Sequence, residues 1–138
     1  MVYTKKEKAE IERVREVFAE HIRQSPNYEL LWSDKVGYVW LCIGIKPLYV
    51  DTGRRIESAS DLCELLLNDV ADDVLEMTGN DHAPENADPL EVAEIKRRWK
   101  VYIDQLPEYA YLCEKLLKQA IVVQSCAGVL HSFYTILR

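Results

Sequence analysis

Apolar residues recur first at helical, then at strand, then again at helical spacing along the chain. Ile11, Val14, Phe18 and Ile22 follow one another at steps of three and four, which predicts a helix from Thr4 to about Arg23. Thr4 followed by Glu7 has the spacing of a capping box, and Ser25-Pro26-Asn27 ends the helix because the residue before proline is pushed out of helical geometry. Three strands are expected next: Tyr28 to Ser33, Val36 to Ile45 after a turn at Asp34-Lys35, and Leu48 to Asp51. In the middle strand Tyr38, Trp40 and Cys42 alternate with Val39, Leu41 and Ile43. Neither set is polar, so both faces of this small antiparallel sheet are expected to be covered.

From Ser58 the period is helical again. Leu62, Leu66, Val70, Val74 and Met77 form one stripe, widened by Cys63, Leu67 and Ala71, with Ser58 and Asp61 placed to cap the start and Gly79 the end. Asp88-Pro89 has the order of an N-cap followed by the first helical residue, opening a helix to about Gln105 with Val92, Ile95, Trp99, Tyr102, Ile103 and Leu106 on its inner side. The short link Leu106-Pro107-Glu108 predicts a helical hairpin with the last helix. There, Tyr109, Cys113, Leu116, Ala120, Val123, Ala127, Leu130, Tyr134 and Leu137 keep a seam of alternating fours and threes. Past residue 118 the other faces are apolar as well, so this half belongs in a core or against a second subunit. A homodimer through Val122, Val129, Phe133 and Ile136 is the expectation drawn from it. The whole reads as one α+β domain, 1–138: an N-terminal helix, a three-stranded antiparallel sheet, then three helices ending in a C-terminal hairpin.

Composition agrees with a globular chain: 138 residues, 49% hydrophobic and 29% charged, too apolar for disorder. Charge changes the picture more. Of the net −6, the stretch from Ile56 to Ile95 contributes twelve carboxylates and no lysine or arginine. Asp61, Glu64, Asp69, Asp72, Asp73 and Glu76 fall opposite the leucine and valine stripe, and Asp69/Asp73 and Asp72/Glu76 are like charges one turn apart. Each such pair costs roughly 0.2–0.5 kcal/mol, while burying one leucine or valine gains roughly 1.5–3 kcal/mol, so the stripe can hold the helix together against them. Three uses of the charge stand open: a solvated face, an internal match with Arg54, Arg55 and the Lys96–Lys100 cluster, or a surface for a basic partner or a divalent cation.

Chemistry-bearing patterns are few. Asp69, Asp72, Asp73 and Glu76 offer oxygen ligands for Mg²⁺ or Mn²⁺, but they sit on one helix and lack the two-helix ExxE and ExxD order with which carboxylate-rich nucleotide hydrolases hold magnesium. HExxH, EF-hand and P-loop patterns are absent. Asp51-Thr52-Gly53 resembles the catalytic turn of aspartic proteases, a nearly all-strand family; with helices after Ser58 it reads better as a strand-ending turn. Asp81-His82 near Glu85 has no accompanying nucleophile. Cys42, Cys63, Cys113 and Cys126 match no zinc spacing and are expected as free thiols of a cytoplasmic protein. Polar residues interrupt the uncharged run Gln119–Leu137, which favours a buried helix over a membrane span.

Direct nucleic-acid binding is disfavoured by the net charge, and Trp99 within Lys96–Lys100 is in register with the buried stripe. The expected function is therefore a non-enzymatic interaction or regulatory module with no cofactor, presenting the acidic helix 57–78 to an unknown, basic protein partner and dimerising through its last helix. The alternative is a small hydrolase dependent on Mg²⁺ or Mn²⁺, with Asp69, Asp72, Asp73 and Glu76 as ligands.

Overall fold

The structure, a computed structural model, describes residues 2–26, 28–42, 53–77 and 88–125. The architecture is α+β: α1 (Lys5–Val17), α2 (Ala19–Gln24), β1 (Tyr28–Ser33), β2 (Gly37–Cys42), β3 (Arg54–Arg55), α3 (Ala59–Met77), α4 (Pro89–Ile103), a 3₁₀ turn (Pro107–Tyr109) and α5 (Tyr111–Ser125). Two compact units divide it, Met1–Cys63 and Glu64–Arg138, and the division falls inside α3.

In the first unit the expected capping box is formed. The Glu7 amide donates to Thr4 Oγ1 at 3.1 Å and the Thr4 amide to Glu7 Oε1 at 2.9 Å, satisfying two amides that a helix start leaves free. Ile11, Val14 and Phe18 are fully buried, as the spacing required. The single helix expected as far as Arg23 is instead two, because Phe18 leaves helical geometry with φ −94° and ψ 10°. No glycine or proline marks that break, and its hydrogen bonds are nearly continuous: Phe18 N donates to Val14 O, and Ile22 N to Phe18 O. An apolar spacing that continues through the break therefore reads as one helix.

β1, β2 and β3 form an antiparallel sheet in that order, with Leu30 opposite Trp40, Trp32 opposite Tyr38, and Val39 opposite Arg55. The expected third strand at 48–51 lies outside the described residues; among these, Arg54–Arg55 fills that place. One face is core. Tyr38, Trp40 and Ile56 are buried, and α1 lies over them: Tyr38 Oη donates to Glu12 at 2.9 Å and Lys8 Nζ stands 4.4 Å from the Trp32 ring centroid. Tyr28 stacks on Trp40 with centroids 5.4 Å apart. On the opposite face Leu31 is 43% exposed and Val39 and Leu41 are half-buried, and on the core face Trp32 is likewise 43% exposed, so among the described residues the cover that apolar alternation predicted on both faces is partial.

The second unit contains the rest of α3, α4 and α5. Asp88 and Glu91 form a second reciprocal cap, at 2.9 and 3.1 Å, with Pro89 in the first turn. Trp99 is 3% exposed, and its indole Nε1 donates to the Leu67 carbonyl of α3 at 2.8 Å. α4 ends at Ile103, two residues earlier than expected, and buried Leu106 leads into the 3₁₀ turn before α5. No helix among the described residues is long and apolar enough to cross a membrane.

Candidate functional site

α3 is helical throughout its acidic run, and its stripe is buried: Leu62, Cys63, Leu66, Leu67, Val70, Ala71, Val74 and Leu75. Burial extends further round than a surface helix requires. From Ala59 through Asp72 no residue is exposed, and Asp61, Glu64, Asp69 and Asp72 are half-buried. The carboxylates are thus partly enclosed along most of the helix, and only at its end does Glu76 stand exposed.

The first two carboxylates have structural partners. Ser58 caps α3, its Oγ accepting from the Asp61 amide at 3.1 Å, while Asp61 Oδ2 accepts from the Glu57 amide at 2.9 Å and Oδ1 from Arg54. An acid in the first turn also gains from the positive end of the helix dipole. Glu64 pairs with Lys115 Nζ at 2.7 Å, an ion pair from α5 that sequence spacing could not signal across fifty positions. Further on, Asp69 and Asp73 bring one carboxylate oxygen each within 4.8 Å of one another. Among the described residues neither Asp72 nor Glu76 joins that pair, so the four acids proposed as a metal shell do not converge on one point.

The basic cluster of α4 closes largely on its own helix. Glu94 takes Arg97 in a two-point contact at 2.5 and 2.9 Å and Arg98 Nε at 3.0 Å, and Lys100 reaches Asp104 at 2.9 Å. Hydrogen bonds from Arg97 and Arg98 hold the Glu94 carboxyl down at about 2. Toward α3 the described contact is Arg98 to the Met77 sulfur at 3.3 Å. Of the internal match expected for the acidic helix, Arg54 takes part as anticipated, while Lys115 does what Lys96–Lys100 were expected to do.

Charge is therefore divided between the units. Residues 1–63 hold ten cations and ten carboxylates, whereas residues 64–138 hold seven cations and thirteen carboxylates, so the second unit carries the entire net −6. By count, that unit holds six more carboxylates than cations. The last two turns of α3 carry Asp72, Asp73 and Glu76, and the final turn has no basic residue to offset the negative end of the helix dipole.

Other candidates lie elsewhere. Cys63 is buried and Cys113 half-buried, neither in a disulfide, with burial pushing the Cys113 thiol up. Asp51-Thr52, Asp81-His82, Val129, Phe133 and Ile136, and the side chain of Val122, lie outside the described residues. Sequence reasoning missed the role of Tyr3, which is 6% exposed and engages the sheet; an aromatic ahead of an N-cap carries no signal of a partner more than thirty residues away. Compared with known proteins, the chain matches no protein-family model, and neither a curated protein nor a solved structure shows significant similarity to it.

Proposed function

We propose that the chain is a non-enzymatic protein-interaction module whose acid-rich second unit receives a basic partner at the C-terminal end of α3. The observation that carries this reading is the charge excess of residues 64–138, thirteen carboxylates against seven cations, of which Arg97, Arg98, Lys100 and Lys115 are already engaged. Glu76 in the last turn opposes the helix dipole and follows Asp72 and Asp73 by four and three positions, and a partner bringing lysine or arginine relieves that repulsion on binding. Asp61 and Glu64, placed with the recognition face by sequence, act in this reading as supports that fix α3. Dimerisation through Val122, Val129, Phe133 and Ile136 remains part of the proposal on the strength of the apolar pattern alone.

The test is binding of a lysine- and arginine-rich helical peptide, measured by fluorescence anisotropy against a neutral peptide of equal length. Affinity should fall steeply with salt and drop at least about tenfold in the triple variant Asp72→Asn/Asp73→Asn/Glu76→Gln, a loss of about 1.4 kcal/mol. Equal affinity for the variant would remove the reading. Calorimetry with Mg²⁺ and Mn²⁺ addresses the hydrolase alternative directly: micromolar affinity lost in Asp69→Asn would favour it over a docking surface.

A further inference from the structure

Tyr3, just ahead of α1, enters the β2–β3 ladder. Tyr38 and Ile56 stand one rung beyond the pair Val39–Arg55, and an antiparallel hydrogen-bonded pair would exchange two N–H···O bonds there. One is direct, Ile56 N to Tyr38 O at 2.9 Å. In place of the other stands the Tyr3 hydroxyl, which accepts from the Tyr38 amide at 3.1 Å and donates to the Ile56 carbonyl at 2.6 Å. A phenol oxygen thus completes a backbone rung from inside the protein.

The surroundings are shaped to the ring. Gly37 has φ +88°, and a Cβ on it would stand 2.5 Å from the Tyr3 hydroxyl oxygen and 2.6 Å from ring carbons, so the bare backbone is the floor. The Trp32 ring lies 6.2 Å away, centroid to centroid, and the Arg55 guanidinium stands 5.5 Å from the Tyr3 ring centroid. Arg55 Nε also donates to Val36 O at 2.7 Å, tying the strand ends across the gap. A buried amide and a buried carbonyl facing one oxygen-sized space both require a partner, and a neutral hydroxyl both accepts from the one and donates to the other.

We infer that this gap is a phenol-binding slot and that Tyr3 is its tethered ligand. Emptied of Tyr3, the slot takes a small phenol, held by the Tyr38 amide and the Ile56 carbonyl. The slot lies wholly within the first unit and is independent of the acidic helix.

Replacing Tyr3 by Ala empties the slot, and 4-methylphenol, the side chain without its backbone, is the probe, with toluene as the ring lacking the hydroxyl. In Tyr3→Ala, 4-methylphenol at ten times its dissociation constant should raise the thermal midpoint by about 4 °C and slow exchange of the Tyr38 amide at least about tenfold. The wild-type chain, its slot filled, should show neither change, and toluene should produce neither. Equal responses of wild type and variant, equal effects of toluene, or a Tyr38 amide already protected in the unliganded variant because the rung closes directly, would each overturn the inference. Should Tyr3→Ala fail to fold, Tyr3→Phe keeps the ring and removes the hydroxyl: the Tyr38 amide must then exchange at least about tenfold faster than in wild type, and an unchanged rate overturns the inference equally.

Discussion

Replacing Glu76 by lysine should make the protein more stable, and the size of the gain follows from its place in α3. Glu76 is exposed, has no hydrogen bond or ion pair among the described residues, and sits in a last turn without a cation. Asp73 is three and Asp72 four positions before it, so the native side chain meets two like charges, each costing roughly 0.2–0.5 kcal/mol, and the carbonyl end of the dipole, costing roughly 0.3–1 kcal/mol. Lysine reverses all three, and an acid four positions ahead of a lysine is the favourable order. Glu, Gln and Lys have nearly equal helix propensity, so the backbone contributes little to the difference. The charge terms sum to about 0.7–2 kcal/mol; halved for solvent screening at an exposed site, they give a gain of about 0.4–1 kcal/mol for Glu76→Gln and, with the signs reversed, about 0.7–2 kcal/mol for Glu76→Lys. Urea unfolding followed by far-ultraviolet circular dichroism at low salt measures both, with the denaturant slope unchanged. In 1 M NaCl, where screening acts within about 3 Å, the gain should shrink by more than half. A lysine variant that is less stable, or a gain indifferent to salt, would refute the electrostatic account of α3. If the acidic end exists for a partner, the same variant should bind a basic peptide more weakly, a stability conceded for function.

Other outcomes follow from particular contacts. Trp99→Phe removes a buried indole N–H from Leu67 O and leaves a partly filled space, which should cost about 2–3 kcal/mol in urea unfolding, whereas Val101→Ala, at a 58% exposed position of the same helix, should stay within about 0.5 kcal/mol. Thr4→Ala and Asp88→Ala each break a reciprocal cap and should cost about 1 kcal/mol, additively because the two helices start in different units. The Glu94 carboxyl carbon should titrate near 2 by NMR and return toward the ordinary value of 4.5 in Arg97→Ala/Arg98→Ala. Since folding lowers this value, the stability it contributes is fully present above about pH 4.5 and is lost as the pH falls toward 2. A wild-type midpoint near 4 would refute the described triad.

Apolar spacing alone fixed where most helices lie, and local chemistry fixed the starts of three of them. Thr4/Glu7, Ser58/Asp61 and Asp88/Glu91 are each separated by three positions, and each pair meets in the fold because a cap is decided within one turn of chain. β1 and its hairpin to β2 were legible for the same reason, since strand alternation and a short turn are local. What local pattern could not decide was which side of an element is covered. The acidic face of α3 reads in sequence as an open ridge, yet it is half-buried as far as Asp72; Asp61 lies within reach of Arg54, and Glu64 meets Lys115, fifty-one positions away. The alternation of β2 predicted two covered faces, whereas Val39 and Leu41 on the second face are only half-buried and their neighbour Leu31 is 43% exposed. Helical and strand periods specify the direction of a side chain relative to its own axis, but only packing determines what it faces. The same holds for Tyr3, whose hydroxyl bridges residues 38 and 56 because the sheet brings a backbone donor and acceptor to one point beside a bare glycine.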